Sequence, residues 1–381
     1  MYSISRTIVF SFLSFLLVVP AVAQKGKTRS GIKKLMKKYQ AVGLSVAVVK
    51  NNEIVYNQSF GKKNMERKTK IKNDDVFRIA SISKSFSATA IQQLAEAGKL
   101  SLDDDVSKLI GFEVRNPKFP DQVITLKMLL SHTSSLNDSE GYFTLDVINP
   151  ARAKNAAGCY SDYAPGTEYR YCNLNFNMVG TIIERYSGER FDQYIVHHIL
   201  KPLGIYGGYC IDSLDANRFV TLYEYDSTSG AYVAQENAYH PRREEISHYV
   251  MGYSTPIFSP TGGMKISAKD LATYMTMHMN YGKYPGGAII SEASARAMQT
   301  PVNEKSGYGL ALHTCDEYIP GKKMMGHTGS AYGLYSNMVF SPDEKFGFVV
   351  ITNGCSPVFE DDRWSELLLS TARLLYKNWV E

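Results

Sequence analysis

Leu44-Ser45-Val46-Ala47-Val48-Val49 and Ile54-Val55-Tyr56-Asn57-Gln58-Ser59-Phe60 flank the pair Asn51-Asn52, and this stretch decides the fold. Both runs are rich in β-branched and aromatic residues, and asparagine tolerates the left-handed backbone that a tight hairpin turn demands. The spacing predicts an antiparallel hairpin. Upstream, Ile32, Leu35, Met36 and Tyr39 recur at helical spacing after Ser30, so an amphipathic helix is expected to precede the hairpin.

The far end of the chain has the same texture. Tyr308 to His313, Leu334 to Phe340 and Phe346 to Thr352 read as short strands, the last two joined by Ser341-Pro342-Asp343-Glu344-Lys345, and a helix is expected over 361–376. Between the ends, residues 102–257 carry helical stretches such as 175–186 and 191–199 among loops rich in Gly, Pro, Ser and Asn. The expected architecture is α/β (α+β), an antiparallel sheet flanked by helices. Residues 24–101 and 258–381 together form the sheet domain, and residues 102–257 form a mainly helical inserted domain.

Composition is consistent with this reading. The 381 residues are 44% hydrophobic and 21% charged, a globular balance with enough length to bury a large core. Residues 1–23 read as a secretory leader: Arg6, an apolar run from Ile8 to Val19, a helix-breaking Pro20, and Ala21-Val22-Ala23 as the small-x-small cleavage pattern. The apolar run is shorter than the ~20 residues a membrane span needs, and nothing after residue 23 reads as a transmembrane segment. Export is therefore expected, to the periplasm of a Gram-negative source or otherwise to the medium. The net charge of +5 is local, because Lys25 to Lys38 contributes seven positive charges and no acid. That excess sits on one short segment rather than over a domain face with interleaved aromatics, so no nucleic-acid partner is expected. The five cysteines, Cys159, Cys172, Cys210, Cys315 and Cys355, form no CxxC pair, and spacing alone names no disulfide among them.

Chemistry is carried first by Ser81-Ile82-Ser83-Lys84, at the start of a helix with apolar positions Phe86, Ala90, Ile91, Leu94 and Ala97 and an end at Gly98. At i and i+3 a hydroxyl and an amine share one helix face, so a desolvated Lys84 could take the proton of Ser81. The bland alternative is a serine that merely caps the helix. The spacing is also matched by Ser30-Gly31-Ile32-Lys33, which lacks companions. Two further signals follow in order: Tyr171-Cys172-Asn173 before a helix, and His327-Thr328-Gly329-Ser330 on or beside a strand.

In this order the three motifs resemble the β-lactamase-like and penicillin-binding serine hydrolases, which include class C β-lactamases, D-alanyl-D-alanine carboxypeptidases, D-aminopeptidases and related esterases. The segments Leu129-Leu130-Ser131-His132-Thr133-Ser134-Ser135-Leu136 and Gly262-Gly263-Met264-Lys265-Ile266-Ser267 extend the resemblance over nearly the whole chain. Ser135 stands where the family has glycine, and Cys172 where serine is common. The resemblance implies a β-lactamase/transpeptidase-like fold and an acyl-enzyme on Ser81. Lys84 and Tyr171 would form a coupled base pair, with the Tyr171 pKa lowered by the ammonium or with Lys84 itself as the base. Asn173, His327, Thr328, Gly329 and Ser330 would bind substrate, and the main-chain N–H groups of Ser81 and Ser330 would form the oxyanion hole. Gly329 would let substrate approach the strand.

Histidine at 327, where many penicillin-hydrolysing relatives have lysine, resembles the D,D-peptidases and D-aminopeptidases. The implied substrates are D-residue peptides or amides, with carboxylesterase or β-lactamase activity as the alternative on this scaffold and a slowly turning-over penicillin-binding sensor as another. Small peptides, amides or esters are the expected partners, and β-lactams the expected acylating ligands. His197, His198 and His313 have no carboxylate or cysteine at ligand spacing, so neither a metal nor a cofactor is expected.

Overall fold

The computed structural model describes residues 9–361 and 363–381, with side chains from residue 23 onward; the first eight residues of the expected leader lie outside the described residues. Helix α1 (Val9–Lys38) runs through Pro20, where a break was expected, and through Ser30. A proline withholds one amide from the helical ladder without ending the remaining bonds. Among the described residues no helix is long and apolar enough to cross a membrane.

The hairpin forms as read: β1 (Gly43–Lys50) pairs with β2 (Glu53–Asn64), and Asn51 and Asn52 adopt φ of 51° and 70°. With β3 (Thr69–Lys70), β4 (His313–Thr314), β5 (Met325–Ala331), β6 (Leu334–Ser341) and β7 (Phe346–Thr352) they form a seven-stranded sheet. Its order is β4-β5-β6-β7-β1-β2-β3, antiparallel throughout. Strand β1 lies beside β7, so the two ends of the chain meet at the centre of the sheet.

Burial on both faces explains why β1 is apolar at every position from Val46 to Val49. Leu44, Val46 and Val48 join one core cluster, while Ala47 and Val49 join the other. The first face is covered by α1 and the terminal helix, the second by helices that lead to the site.

Further expectations change. Only His313–Thr314 of the run 308–313 is a strand; Tyr308 makes single bridges to Asn303 and His313, and the chain turns back at Ala311 with φ of 60°. The terminal helix begins at Glu366 rather than 361, because Phe359–Glu360 first pairs with Trp364–Ser365. The middle segment also holds strands: Tyr223–Asp226 pairs with Ala231–Ala234, and Gly207–Gly208 pairs with Lys265–Ile266, itself paired to Phe77–Arg78.

Four further helices complete the frame: α2 (Ser83–Glu96), α3 (Asn173–Ser187), α4 (Ala268–Met279) and α5 (Glu366–Trp379). Helix α2 packs on α3, α4 on β7 and β1, and α5 on α1. The region expected as helix over 191–199 is an α-turn, Phe191–Ile195, followed by a wider π-type turn, Val196–Leu200.

Candidate active site

Ser81 does not start α2. It sits one turn earlier, in the 3-10 turn Ala80–Ile82, and no serine side chain caps either helix, so the capping explanation of Ser81 fails. Ala80 holds φ of 51°. The helical path through residues 81–84 still brings the side chains together: Lys84 Nζ lies 3.2 Å from Ser81 Oγ. Helix α2 is buried on nearly all sides, which removes the Lys84 side chain from water completely.

Burial governs the electrostatics. Lys84 Nζ donates to Asn173 Oδ1 at 2.9 Å and to the Thr261 carbonyl at 2.9 Å, and its ammonium lies 4.7 Å from the centre of the Tyr171 ring. Desolvation lowers its pKa to about 7, against the opposing pull of Asp138 and Cys172. The expected lowering of the Tyr171 pKa is overturned. Burial pushes that phenol well above its ordinary range, the nearby Ser81 hydroxyl offsets the effect only in part, and among the described residues the enclosed phenol oxygen has no hydrogen-bond partner. Of the pair, the amine reaches its neutral form near pH 7 and the phenol keeps its proton.

Strand β5 closes the opposite wall. A Cβ at Gly329 would stand 2.3 Å from the Ile79 carbonyl oxygen and 2.6 Å from Ser336 Oγ, so only glycine lets β5 press against the turn that carries Ser81. The close approach seen at this glycine is to that turn. Strand β4 pairs only with Met325 and Gly326, so among the described residues the His327–Ala331 part of β5 has no strand on that side. Ser81 and Ser330 both line the two cavities that flank Tyr171, of about 430 Å³ and about 450 Å³, and Thr328 lines the first. A carbonyl carbon held at Ser81 could thus lie beside both main-chain amides, with an extended substrate along the open edge.

His327 is almost fully buried and presents no cation. Its Nδ1–H donates to the Thr328 carbonyl at 2.5 Å, and Nε2 accepts from the Tyr308 hydroxyl at 3.0 Å. Burial, with His313 and Lys84 nearby, pushes its pKa well below the ordinary histidine value. The structure therefore brings Ser81, Lys84, Tyr171, Asn173, His327, Thr328, Gly329 and Ser330 to one place.

Four neighbours escaped the sequence reading. Thr261 supplies its carbonyl to Lys84, and its hydroxyl donates to Asn173 Oδ1 at 2.8 Å. His132, with φ of 58°, accepts the Cys172 amide on Nδ1 at 3.2 Å and lies 4.2 Å from the Tyr171 ring, centre to centre. Tyr308 holds His327, and Asp138 gathers the turn before α3. His132 and Thr261 lay within or beside segments already quoted, but Asp138 and Tyr308 had no spacing signal.

The other motif residues stay apart. Ser30 and Lys33 are exposed on α1 while Ile32 packs inward. His197 and His198 do meet a carboxylate, contrary to the spacing argument: the turn at Val196–Leu200 brings both onto Glu189, with His198 Nε2 at 2.9 Å. Among the described residues no group of three or more His, Cys, Asp or Glu side chains could hold a metal ion. The five cysteines are buried and free.

A family model described as Beta-lactamase matches residues 29–373. Protein flp of Staphylococcus aureus (strain MW2) is 24% identical over 334 residues, covering 82% of this chain and 59% of that protein, so the chain spans about three fifths of that relative's length. Among solved structures, the octameric penicillin-binding protein homologue from Pyrococcus abyssi superposes with a TM-score of 0.73 at 25% identity, covering 92% of this chain and 77% of that one. The D-amino acid amidase from Ochrobactrum anthropi SV3, complexed with L-phenylalanine amide, gives 0.72 at 19% identity, covering 94% of this chain and 100% of that one, a likeness of fold.

Proposed function

The chain belongs to the beta-lactamase family, and from this premise we propose that it is a serine hydrolase that cleaves amides or peptides bearing a D-residue through an acyl-enzyme on Ser81. One observation carries the reading: a buried amine, with its pKa lowered to about 7, lies 3.2 Å from the Ser81 hydroxyl. Neutral Lys84 takes the Ser81 proton as Oγ attacks the carbonyl carbon. The tetrahedral oxyanion is held by the main-chain amides of Ser81 and Ser330, a contribution typically worth about 3–4 kcal/mol per donor. Protonated Lys84 then gives that proton to the leaving nitrogen as the C–N bond breaks, which leaves an ester on Ser81 and the amine neutral again. Water then attacks that ester, Lys84 accepts the water's proton, and the carboxylic acid leaves as Ser81 Oγ regains a proton.

Neutral His327 favours the amide and peptide reading over efficient β-lactam hydrolysis, because a buried neutral imidazole offers no permanent cation to a β-lactam carboxylate. Asn173 would hold the substrate amide, and the open edge of β5 would pair with its backbone. We further propose that residues 1–23 direct export, to the periplasm or the medium.

The test is one purified sample offered D-amino acid amides, D-Ala-D-Ala peptides, p-nitrophenyl esters and nitrocefin. Amide or peptide turnover above ester turnover, with nitrocefin slowest, is expected. Esters far ahead of every D-residue amide would replace this reading with a carboxylesterase.

A further inference from the structure

Asp138 touches no reacting atom, yet its carboxylate gathers four donors from a single turn. Oδ2 accepts from the backbone N–H of Asn173 at 2.8 Å and from its side-chain Nδ2 at 2.9 Å. Oδ1 accepts from the backbone N–H of Leu174 at 3.0 Å and from the Cys172 thiol at 3.3 Å. The two amides are the first of α3, where unpaired N–H groups and the helix dipole favour an anion. The N-cap residue Cys172 makes no side-chain cap bond of its own.

The consequence falls on Asn173. A carboxamide can enter a site either way round, but a carboxylate can only accept. Nδ2 must therefore turn to Asp138, which aims Oδ1 at Lys84 Nζ and Thr261 Oγ1, at 2.9 and 2.8 Å. The reversed amide would set its NH₂ against the amine and its oxygen against a carboxylate.

We infer that Asp138 is a positioning residue for this site: it dictates which end of Asn173 faces Lys84 and ties the Tyr171-Cys172-Asn173 turn to α3. The inference rests on the reading that Lys84 takes the proton of Ser81. Its charge acts in the same direction as its geometry. The titratable groups that face Lys84 are Tyr171 and Cys172 from the turn before α3, His132 from the loop before residue 133, His327 from β5, and Asp138. Burial keeps both imidazoles neutral and both the phenol and the thiol protonated, so Asp138 is the negative charge that offsets the burial of the amine.

The test measures the rate of Ser81 labelling by a fluorophosphonate across pH 5–9, with the adduct located by peptide mass spectrometry, in the wild type, Asp138→Asn and Asp138→Glu. For Asp138→Asn the expected result is a plateau at least about tenfold lower, with the acid limb moved down by about half a pH unit or more, since an amine without its counter-charge sheds its proton more readily. Asp138→Glu keeps the charge on a longer arm, so its acid limb stays within about 0.2 unit of wild type while its plateau remains at least about threefold low. An unmoved limb in Asp138→Asn, or a rate within about twofold of wild type, overturns the inference. If circular dichroism shows Asp138→Asn unfolded, Asp138→Glu decides alone, and a wild-type plateau there overturns it. A wild-type protein that takes no label on Ser81 instead removes the underlying acyl-enzyme reading.

Discussion

The two faces of the seven-stranded sheet are built from the same strands and put to opposite uses. On one, Leu44, Val46 and Val48 of β1 and Phe346, Phe348 and Val350 of β7 pack against Leu367, Leu368 and Leu369 of α5 and Ile32 of α1. On the other, Ala47, Val49, Val349 and Ile351 open a core that continues through α4 and α2 to the site. There the interior holds Lys84, His132 and His327, and a Tyr171 hydroxyl with no partner among the described residues. The contrast separates two demands: the apolar face stabilises by packing, and the face that leads to the candidate site tolerates an amine that would be better solvated in water.

Substitutions on each face can break this contrast. The largest effect is expected of Ser81→Ala, which removes the attacking oxygen and leaves the packing unchanged. Fluorophosphonate labelling should vanish and turnover should fall by about 10⁴-fold or more, with the melting temperature within a degree or two of wild type. A surviving adduct at another residue would move the site elsewhere.

Lys84→Met comes next. The methionine approximates the shape of the lysine stem and loses the base, so activity should drop about 10²–10⁴-fold. Stability should stay level or rise. The sign follows from the proton balance: the folded pKa is lowered to about 7 from the ordinary 10.5, so the unfolded chain binds more protons between those values. The cost of burying Lys84 is full below pH 7 and fades as the pH climbs toward 10.5. Thermal melts of Lys84→Met against wild type should therefore differ more at pH 6 than at pH 9.5, and a variant less stable at pH 6 would contradict the account.

Leu369→Ala is the matching probe of the apolar face. Fully buried between α5 and the sheet, it should cost about 2–5 kcal/mol of stability in urea titration while kcat changes less than about twofold. A loss of kcat without a loss of stability would show that the two faces are coupled.

Much of this division is readable along the chain, and its limits are physical. Asn51-Asn52 announces the hairpin because few residues accept two consecutive left-handed φ values, and the apolar run in β1 announces a strand buried on both faces. Ser81 and Lys84 are legible because a single turn fixes their separation. The direction of the Tyr171 pKa was not, since burial is a property of the folded interior and here it outweighs the neighbouring ammonium. The partner that His327 Nε2 finds is Tyr308, nineteen residues away and held by a turn rather than the strand its composition suggests. Asp138 looks like any loop acid until α3 turns its first amides toward it.

The central claim, that a neutral amine beside Ser81 drives acylation, is tested most directly by the pH dependence of Ser81 acylation by a fluorophosphonate. The account predicts one ionisation near pH 7, rising to a plateau that holds to pH 9, in place of the bell that a phenolate paired with an ammonium would give. A rate independent of pH from 5 to 9, or one that falls again above pH 8, contradicts it.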